Sequence, residues 1–117
     1  MKPGTKLSKQ IIKILKDRGW YATQISANMN TGIPDILATR PGGSLHLEVK
    51  ALGDTLRDSQ INWAIDYYAI CCGDTWAIFE QVEGYSVVSF GVPGPKSIRG
   101  TGLKLEEAVA CILTSTM

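Results

Sequence analysis

Apolar residues in the first segment of the chain recur at intervals of three and four positions: Leu7, Ile11, Ile14 and Leu15. This spacing places them on one side of an amphipathic helix. Four lysines fall on the opposite side: Lys6, Lys9, Lys13 and Lys16. The pattern predicts a helix from Leu7 to Arg18, and Gly19 is a suitable residue to end it.

A two-residue alternation replaces the helical spacing between Ser44 and Ala51. Leu45, Leu47 and Val49 point to one side, and His46, Glu48 and Lys50 point to the other, as in a β-strand. The residues Arg40-Pro41-Gly42-Gly43 immediately before it are typical of a turn. Another apolar run, residues 33–39, precedes the turn. The two runs therefore predict a β-hairpin.

The remaining pattern completes an α-β-β-β-α-β-β-α order. Thr55, with an acidic residue three positions later, predicts the start of a helix that runs to about Cys72. Further strands are predicted over 20–25, 75–80 and 85–90, and a last helix over 105–114. The glycine- and proline-rich residues 91–102 predict a loop. The fold class is α/β, with helices flanking a mixed central β-sheet.

Composition limits the class of protein. The 117 residues are 44% hydrophobic and 20% charged, values that fit one globular domain over residues 1–117 and argue against disorder. No apolar run approaches the roughly 18 residues of a membrane span, and no secretory signal is recognisable. The three cysteines match neither a disulfide framework nor a zinc pattern. We therefore expect a cytoplasmic protein with no membrane partner.

The net charge of +1 conceals an uneven distribution. Residues 1–20 carry six basic residues and one acidic residue, whereas residues 54–83 carry one basic residue and six acidic residues. The basic segment permits a face that binds a polyanion, and a solvated lysine face is the alternative. The candidates for phosphate contact are Lys6, Lys9, Lys13, Lys96 and Arg99.

Two carboxylates are predicted to meet across the hairpin. Folding the chain about positions 41–42 places Asp35 opposite Glu48. Like charges on facing strands are destabilising unless something compensates them, and a divalent cation such as Mg²⁺ can do so. Lys50 shares the side of Glu48, where an ammonium group can orient a nucleophile and offset negative charge. His46 lies on the same side, although a lone strand histidine is more often a half-exposed polar residue.

Three short motifs resemble the PD-(D/E)XK nuclease superfamily, and most of all its small stand-alone VRR-NUC domains. They are Gly32-Ile33-Pro34-Asp35, Leu47-Glu48-Val49-Lys50 and Gln60-x-x-Trp63. Archaeal Holliday-junction resolvases have the same layout. The resemblance covers about residues 7–79. It implies a restriction-endonuclease-like fold and phosphodiester hydrolysis that depends on Mg²⁺ or Mn²⁺.

The resemblance also implies roles for individual residues. Asp35 and Glu48 would be metal ligands together with the backbone carbonyl of Val49, Lys50 would position or activate the attacking water, and Gln60 would support the site. Many relatives also carry a glutamate on the first helix. Here Ser8 falls near that place, with Gln10 the next polar candidate. Weaker or single-metal binding, an acid recruited from elsewhere and a lost activity are all compatible with this departure.

The predicted function is that of a metal-dependent DNA endonuclease acting on branched DNA such as a Holliday junction. A homodimer is expected, because cutting two strands needs two sites and twofold symmetry supplies them. The alternatives are a nickase or flap nuclease, a catalytically weak module that binds DNA structures, and a protein-interaction domain that uses the acidic second helix.

Overall fold

Nine elements make up the fold in the computed structural model, which describes residues 3–25, 33–71, 75–91 and 97–116. For residues 3, 4, 97–99 and 116 it describes the backbone alone. The helices are α1 (Pro3–Asp17), α2 (Asp58–Cys71) and α3 (Leu105–Thr116). The strands are β1 (Tyr21–Gln24), β2 (Ile36–Arg40), β3 (Gly43–Lys50), β4 (Thr75–Glu80), β5 (Tyr85–Phe90) and β6 (Ser97–Leu103).

The strands form one mixed sheet in sequence order, β1 to β6. The β3–β4 pair is parallel, because α2 carries the chain back across the sheet between the two strands, and the other pairs are antiparallel. In the β2–β3 hairpin Ile36 pairs with Leu47 and Leu37 pairs with His46. This register confirms the fold of the hairpin about positions 41–42.

The two faces of the sheet are covered by different helices. Side chains of α1 and α3 pack on one face in the larger hydrophobic core, which includes Leu15, Trp76 and Ile112. On the other face Ala64 of α2 packs in a smaller cluster with Ala77 and Phe90. Side chains alternate along a strand, and Glu48 is paired with Ala77 across β3 and β4. Glu48 therefore lies on the face that α2 covers.

The prediction of a loop over residues 91–102 was wrong for its second half. Residues 97–103 form β6, an edge strand that pairs with β5 through an irregular register. Gly100 and Gly102 interrupt the alternation that identifies a strand, and Gly102 has a φ of +64°. Edge strands tolerate such bulges, so backbone pairing rather than side-chain pattern defines this element. Lys96 lies outside the described residues.

The start of α2 also differs from the prediction. The helix begins at Asp58 rather than Thr55, because Gln60 rather than Asp58 closes its first turn. The backbone N–H of Arg57 donates to Gln60 Oε1 at 2.9 Å, which is the reciprocal contact of a capping box. None of the described helices has the length and apolar character needed to cross a membrane.

Candidate active site

Asp35 is fixed at the end of the hairpin by hydrogen bonds to both neighbouring strands. Its side-chain Oδ2 accepts a hydrogen bond from the backbone N–H of Val49 at 2.8 Å. Its backbone carbonyl accepts one from the N–H of Ile25 at 2.7 Å. The half-buried carboxylate is therefore held against β3, beside Glu48.

Glu48 is a carboxyl group buried without enough partners. The residue is 1% exposed, and its Oε2 has no hydrogen-bond partner among the described residues. The pKa of Glu48 is raised to about 9, chiefly by burial and then by the hydrogen bond and charge of Asp35, against the opposing charges of Lys50 and Arg57. The metal-free pair therefore retains a proton at neutral pH. A buried carboxylate oxygen without a hydrogen-bond partner is suited to coordinate a cation.

Lys50 supplies a buried positive charge on the same face. The residue is 4% exposed, and its Nζ lies 4.0 Å from Oδ2 of Asp54. Asp54 follows β3 in a turn where Gly53 has a φ of +84°, a conformation that favours glycine. Asp54 was not among the residues that the sequence predicted at this place. The feature of the sequence that could have indicated Asp54 is the tight turn directly after the strand that carries Glu48 and Lys50.

A cavity of about 280 Å³ lies beside β2 and β3, and Asp35 and Asp54 are both in its wall. It is lined by Thr5, Ser8, Gln24, Asp35, Val49, Ala51 and Asp54. Ser8 is buried in the wall that α1 contributes, whereas Gln10 is exposed. Of the two candidates for the place of the first-helix glutamate, the structure brings Ser8 to the site. The packing of Leu7 and Ile11 in the core fixes this face of α1.

The backbone of β3 presents the Val49 carbonyl to the same edge. Successive residues of a strand direct their backbone groups to opposite neighbours. The Asp35 carbonyl bonds toward β1, so the backbone of residue 34 is expected to face β3. Extending the pairing of Ile36 with Leu47 by two residues would place residue 34 opposite Val49. Residue 34 is proline and has no N–H to donate. The carbonyl of Val49 is thereby kept out of the sheet ladder at this position.

Gln60 supports the site from a distance. It is buried, and its Oε1 holds the backbone of Arg57 at the start of α2. Arg57 is one of the two charges that oppose the pKa rise of Glu48. The structure thus gives Gln60 a capping role that fixes the segment near the carboxylates, and it does not place Gln60 in the wall of the cavity.

His46 belongs to an aromatic cluster with α2. Its ring centroid lies 5.3 Å from that of Trp63 and 4.7 Å from that of Tyr67, and the Trp63 and Tyr67 rings stack at 5.1 Å. Burial lowers the pKa of His46. These contacts favour a packing role for the histidine and place Trp63 and Tyr67 of α2 against His46 of β3.

The lysines of α1 form an exposed basic face: Lys6, Lys9, Lys13 and Lys16. Lys6 and Lys9 directly follow Thr5 and Ser8, the two α1 residues that line the cavity. Lys13 instead pairs with Asp17 at 3.0 Å. The side chain of Arg99, like Lys96, lies outside the described residues.

The donor set suits a hard divalent cation that shares its coordination with water and substrate. Within the described ranges, no group of three or more His, Cys, Asp or Glu side chains is arranged to hold a metal ion. Mg²⁺, however, is commonly bound by one or two carboxylates together with waters and phosphate oxygens. Asp35, Glu48 with its unpartnered Oε2, and the Val49 carbonyl fit that mode.

Comparisons with known proteins identify the family and the fold. Residues 1–84 match the family model described as archaeal Holliday junction resolvase (Hjc). The fold is similar to the 1.6 Å structure of Archaeoglobus fulgidus Hjc, a Holliday junction resolvase from an archaeal hyperthermophile, with a TM-score of 0.57 and 16% identity over 72% of this chain and 74% of that chain. No curated protein matches the chain. The predicted restriction-endonuclease-like fold is confirmed.

Proposed function

The chain belongs to the archaeal Holliday junction resolvase (Hjc) family, and on that premise we propose how its own residues perform the reaction. It is a structure-selective nuclease that acts on Holliday junctions and hydrolyses DNA phosphodiester bonds with a divalent metal. We assign metal binding to Asp35, Glu48 and the carbonyl of Val49. The finer resemblance to VRR-NUC domains stays a prediction.

The observation that carries this assignment is the buried, unpartnered Oε2 of Glu48 beside Asp35. Two carboxyl groups held together in a buried setting destabilise the metal-free protein unless one is protonated. Native proteins rarely leave a buried oxygen without a partner. A divalent cation supplies the missing partner and compensates both charges, and oxygen donors alone favour Mg²⁺, with Mn²⁺ as the alternative.

The protein contributes orientation and charge to the hydrolysis. When bound, the cation polarises the scissile phosphate and makes an associated water more acidic. Asp35 is oriented by the Val49 N–H, so the carboxylate needs no reorganisation when the substrate arrives. The buried ammonium of Lys50 stabilises negative charge that develops on the phosphate and orients the attacking water. Gln60 keeps the Arg57 backbone in place at the start of α2.

The basic face of α1 is the proposed site of contact with the DNA backbone. Lys6 and Lys9 are adjacent in sequence to Thr5 and Ser8, which line the cavity, and we propose that they contact phosphates next to the scissile bond. Contacts of this type position a duplex without reading its sequence. Lys13, Lys96 and Arg99 stay candidates of the same kind.

We further propose a homodimer formed through α2. Ile70 on this helix is 82% exposed, and it lines a shallow cleft together with Trp63 and Tyr67. An exposed isoleucine beside two aromatic side chains forms an apolar patch of the kind that marks an interaction surface. Two copies would provide the paired sites that cleavage of both strands requires. The cytoplasm is the proposed location.

A cleavage panel tests the assignment. Four-way junction, flap, nicked and linear DNA are incubated with the full chain and Mg²⁺ or Mn²⁺, beside the Asp35→Asn and Asp58→Asn variants. Asp58 is an exposed acid at the start of α2 and serves as the matched control. We expect the wild type and Asp58→Asn to cut the junction preferentially, and Asp35→Asn to bind it without cutting. Cleavage by Asp35→Asn at the wild-type rate would refute the site, and binding without cleavage by the wild type would identify a binding module.

A further inference from the structure

Asp54 lies in the turn after β3 and is not among the residues assigned so far. It lines the same cavity as Asp35 and Val49. Its Oδ1 accepts a hydrogen bond from the N–H of Thr55 at 2.9 Å, and its own N–H donates to the carbonyl of Ala51 at 3.0 Å. The turn therefore fixes the backbone and one carboxylate oxygen, while Oδ2 lies toward Lys50.

The contact between Asp54 and Lys50 leaves room for another partner. The distance of 4.0 Å exceeds the 2.7–2.9 Å typical of a direct charge-assisted hydrogen bond. The Asp54 side chain is 59% exposed, so water reaches it. A carboxylate with one loosely engaged oxygen can turn toward a cation in the cavity, directly or through a water molecule.

The charge of the site favours a cation once Asp54 is included. In their ionised forms Asp35 and Glu48 are balanced by Lys50 and Arg57, the two cationic residues that act on Glu48. Asp54 makes the net charge of the group −1, which attracts a cation. The unpartnered, fully buried Oε2 of Glu48 independently indicates that a ligand belongs at this end of the sheet.

We propose that Asp54 is the third acidic group of the metal site, where its Oδ2 contributes to cation binding from the turn after β3. This inference rests on the proposed function of Asp35 and Glu48. It also accounts for the absence of a preformed three-acid cluster in the described residues, since Asp54 contacts Lys50 until a cation arrives.

Direct measurement of Mn²⁺ binding tests the role of Asp54 apart from catalysis. Electron paramagnetic resonance reports free Mn²⁺ during titration of the full chain, in about 0.5 M salt to screen long-range charge effects. The variants are Asp54→Asn, Asp35→Asn and the control Asp58→Asn, and melting in chelator verifies that each is folded. We expect Asp54→Asn to weaken binding about tenfold, within the range for groups that support metal ligands, and Asp58→Asn to bind as the wild type does.

The outcomes separate this inference from the site on which it rests. If Asp54→Asn binds Mn²⁺ no more weakly than Asp58→Asn, while Asp35→Asn has lost binding, the site stands and the role of Asp54 is overturned. If Asp35→Asn also binds normally, the proposed metal site itself fails. Asp54→Glu provides the conservative variant, and recovery of affinity relative to Asp54→Asn supports a carboxylate ligand.

Discussion

Replacement of Glu48 by glutamine removes the charge of the buried carboxyl group with little change in shape. The pKa of Glu48 is raised from 4.5 to about 9 in the metal-free fold, chiefly by burial and then by Asp35. Between these values the folded protein holds one proton more than the unfolded chain. The stabilising contribution of the protonated carboxyl is complete below pH 4.5 and is lost as the pH rises toward 9.

The magnitude follows from this proton balance. One extra proton in the folded state lowers the free energy of unfolding by about 1.4 kcal/mol for each pH unit. Between pH 5 and pH 8 the wild type should lose about 4 kcal/mol through this group alone. Glutamine does not titrate, so the stability of Glu48→Gln relative to the wild type should be nearly unchanged at pH 5 and should increase steadily to pH 8.

Urea unfolding in chelator, followed by tryptophan fluorescence at pH 5, 6, 7 and 8, measures this difference. Other ionisable groups titrate in both proteins, so their contributions to the free energy of unfolding largely cancel in the comparison. Glu83→Gln, which removes an exposed carboxylate from the β4–β5 turn, serves as the baseline for losing one acid. A difference between Glu48→Gln and the wild type that stays constant over this pH range would refute the reasoning. Mg²⁺ should stabilise the wild type more at pH 8 than at pH 6, because binding must displace the proton.

Three further predictions concern the backbone, the basic face and the dimer. Pro34→Ala supplies an N–H opposite the Val49 carbonyl and should weaken Mn²⁺ binding several-fold, whereas Pro41→Ala in the hairpin turn should not. Equal Mn²⁺ affinities of the two variants would show that Pro34 has no role in metal binding. Replacing Lys6 and Lys9 with glutamine should reduce the slope of log affinity for a junction against log salt by roughly 2, and an unchanged slope would assign both lysines to solvent. Ile70→Lys should yield a monomer in sedimentation at concentrations where the wild type is a dimer, and a monomeric wild type would contradict the α2 interface.

Local sequence rules predicted the part of the site that depends on the hairpin. A tight turn and strict alternation determine which residues face each other, so the opposition of Asp35 and Glu48 follows from the chain positions. The proposed role of Asp54 could not be derived in this way, because the cavity that Asp54 shares with residues of α1 forms only when distant parts of the chain pack together. The pKa of Glu48 likewise depends on burial by elements distant in sequence. The edge strand β6 was missed because its glycines carry no side-chain pattern.

The β2–β3 hairpin has a consequence for the order in which the protein folds. Its strands are joined by a turn and can pair through local contacts, whereas the parallel β3–β4 pair must enclose the whole of α2. Local contacts generally form before such long-range closures. Asp35 and Glu48 therefore meet while water still hydrates both charges, and the repulsion grows only when α2 closes over that face of the sheet. Glu48 then takes up a proton, or the site binds a cation, when α2 docks. The rate of this late folding step should therefore depend on the pH and on the metal concentration during refolding.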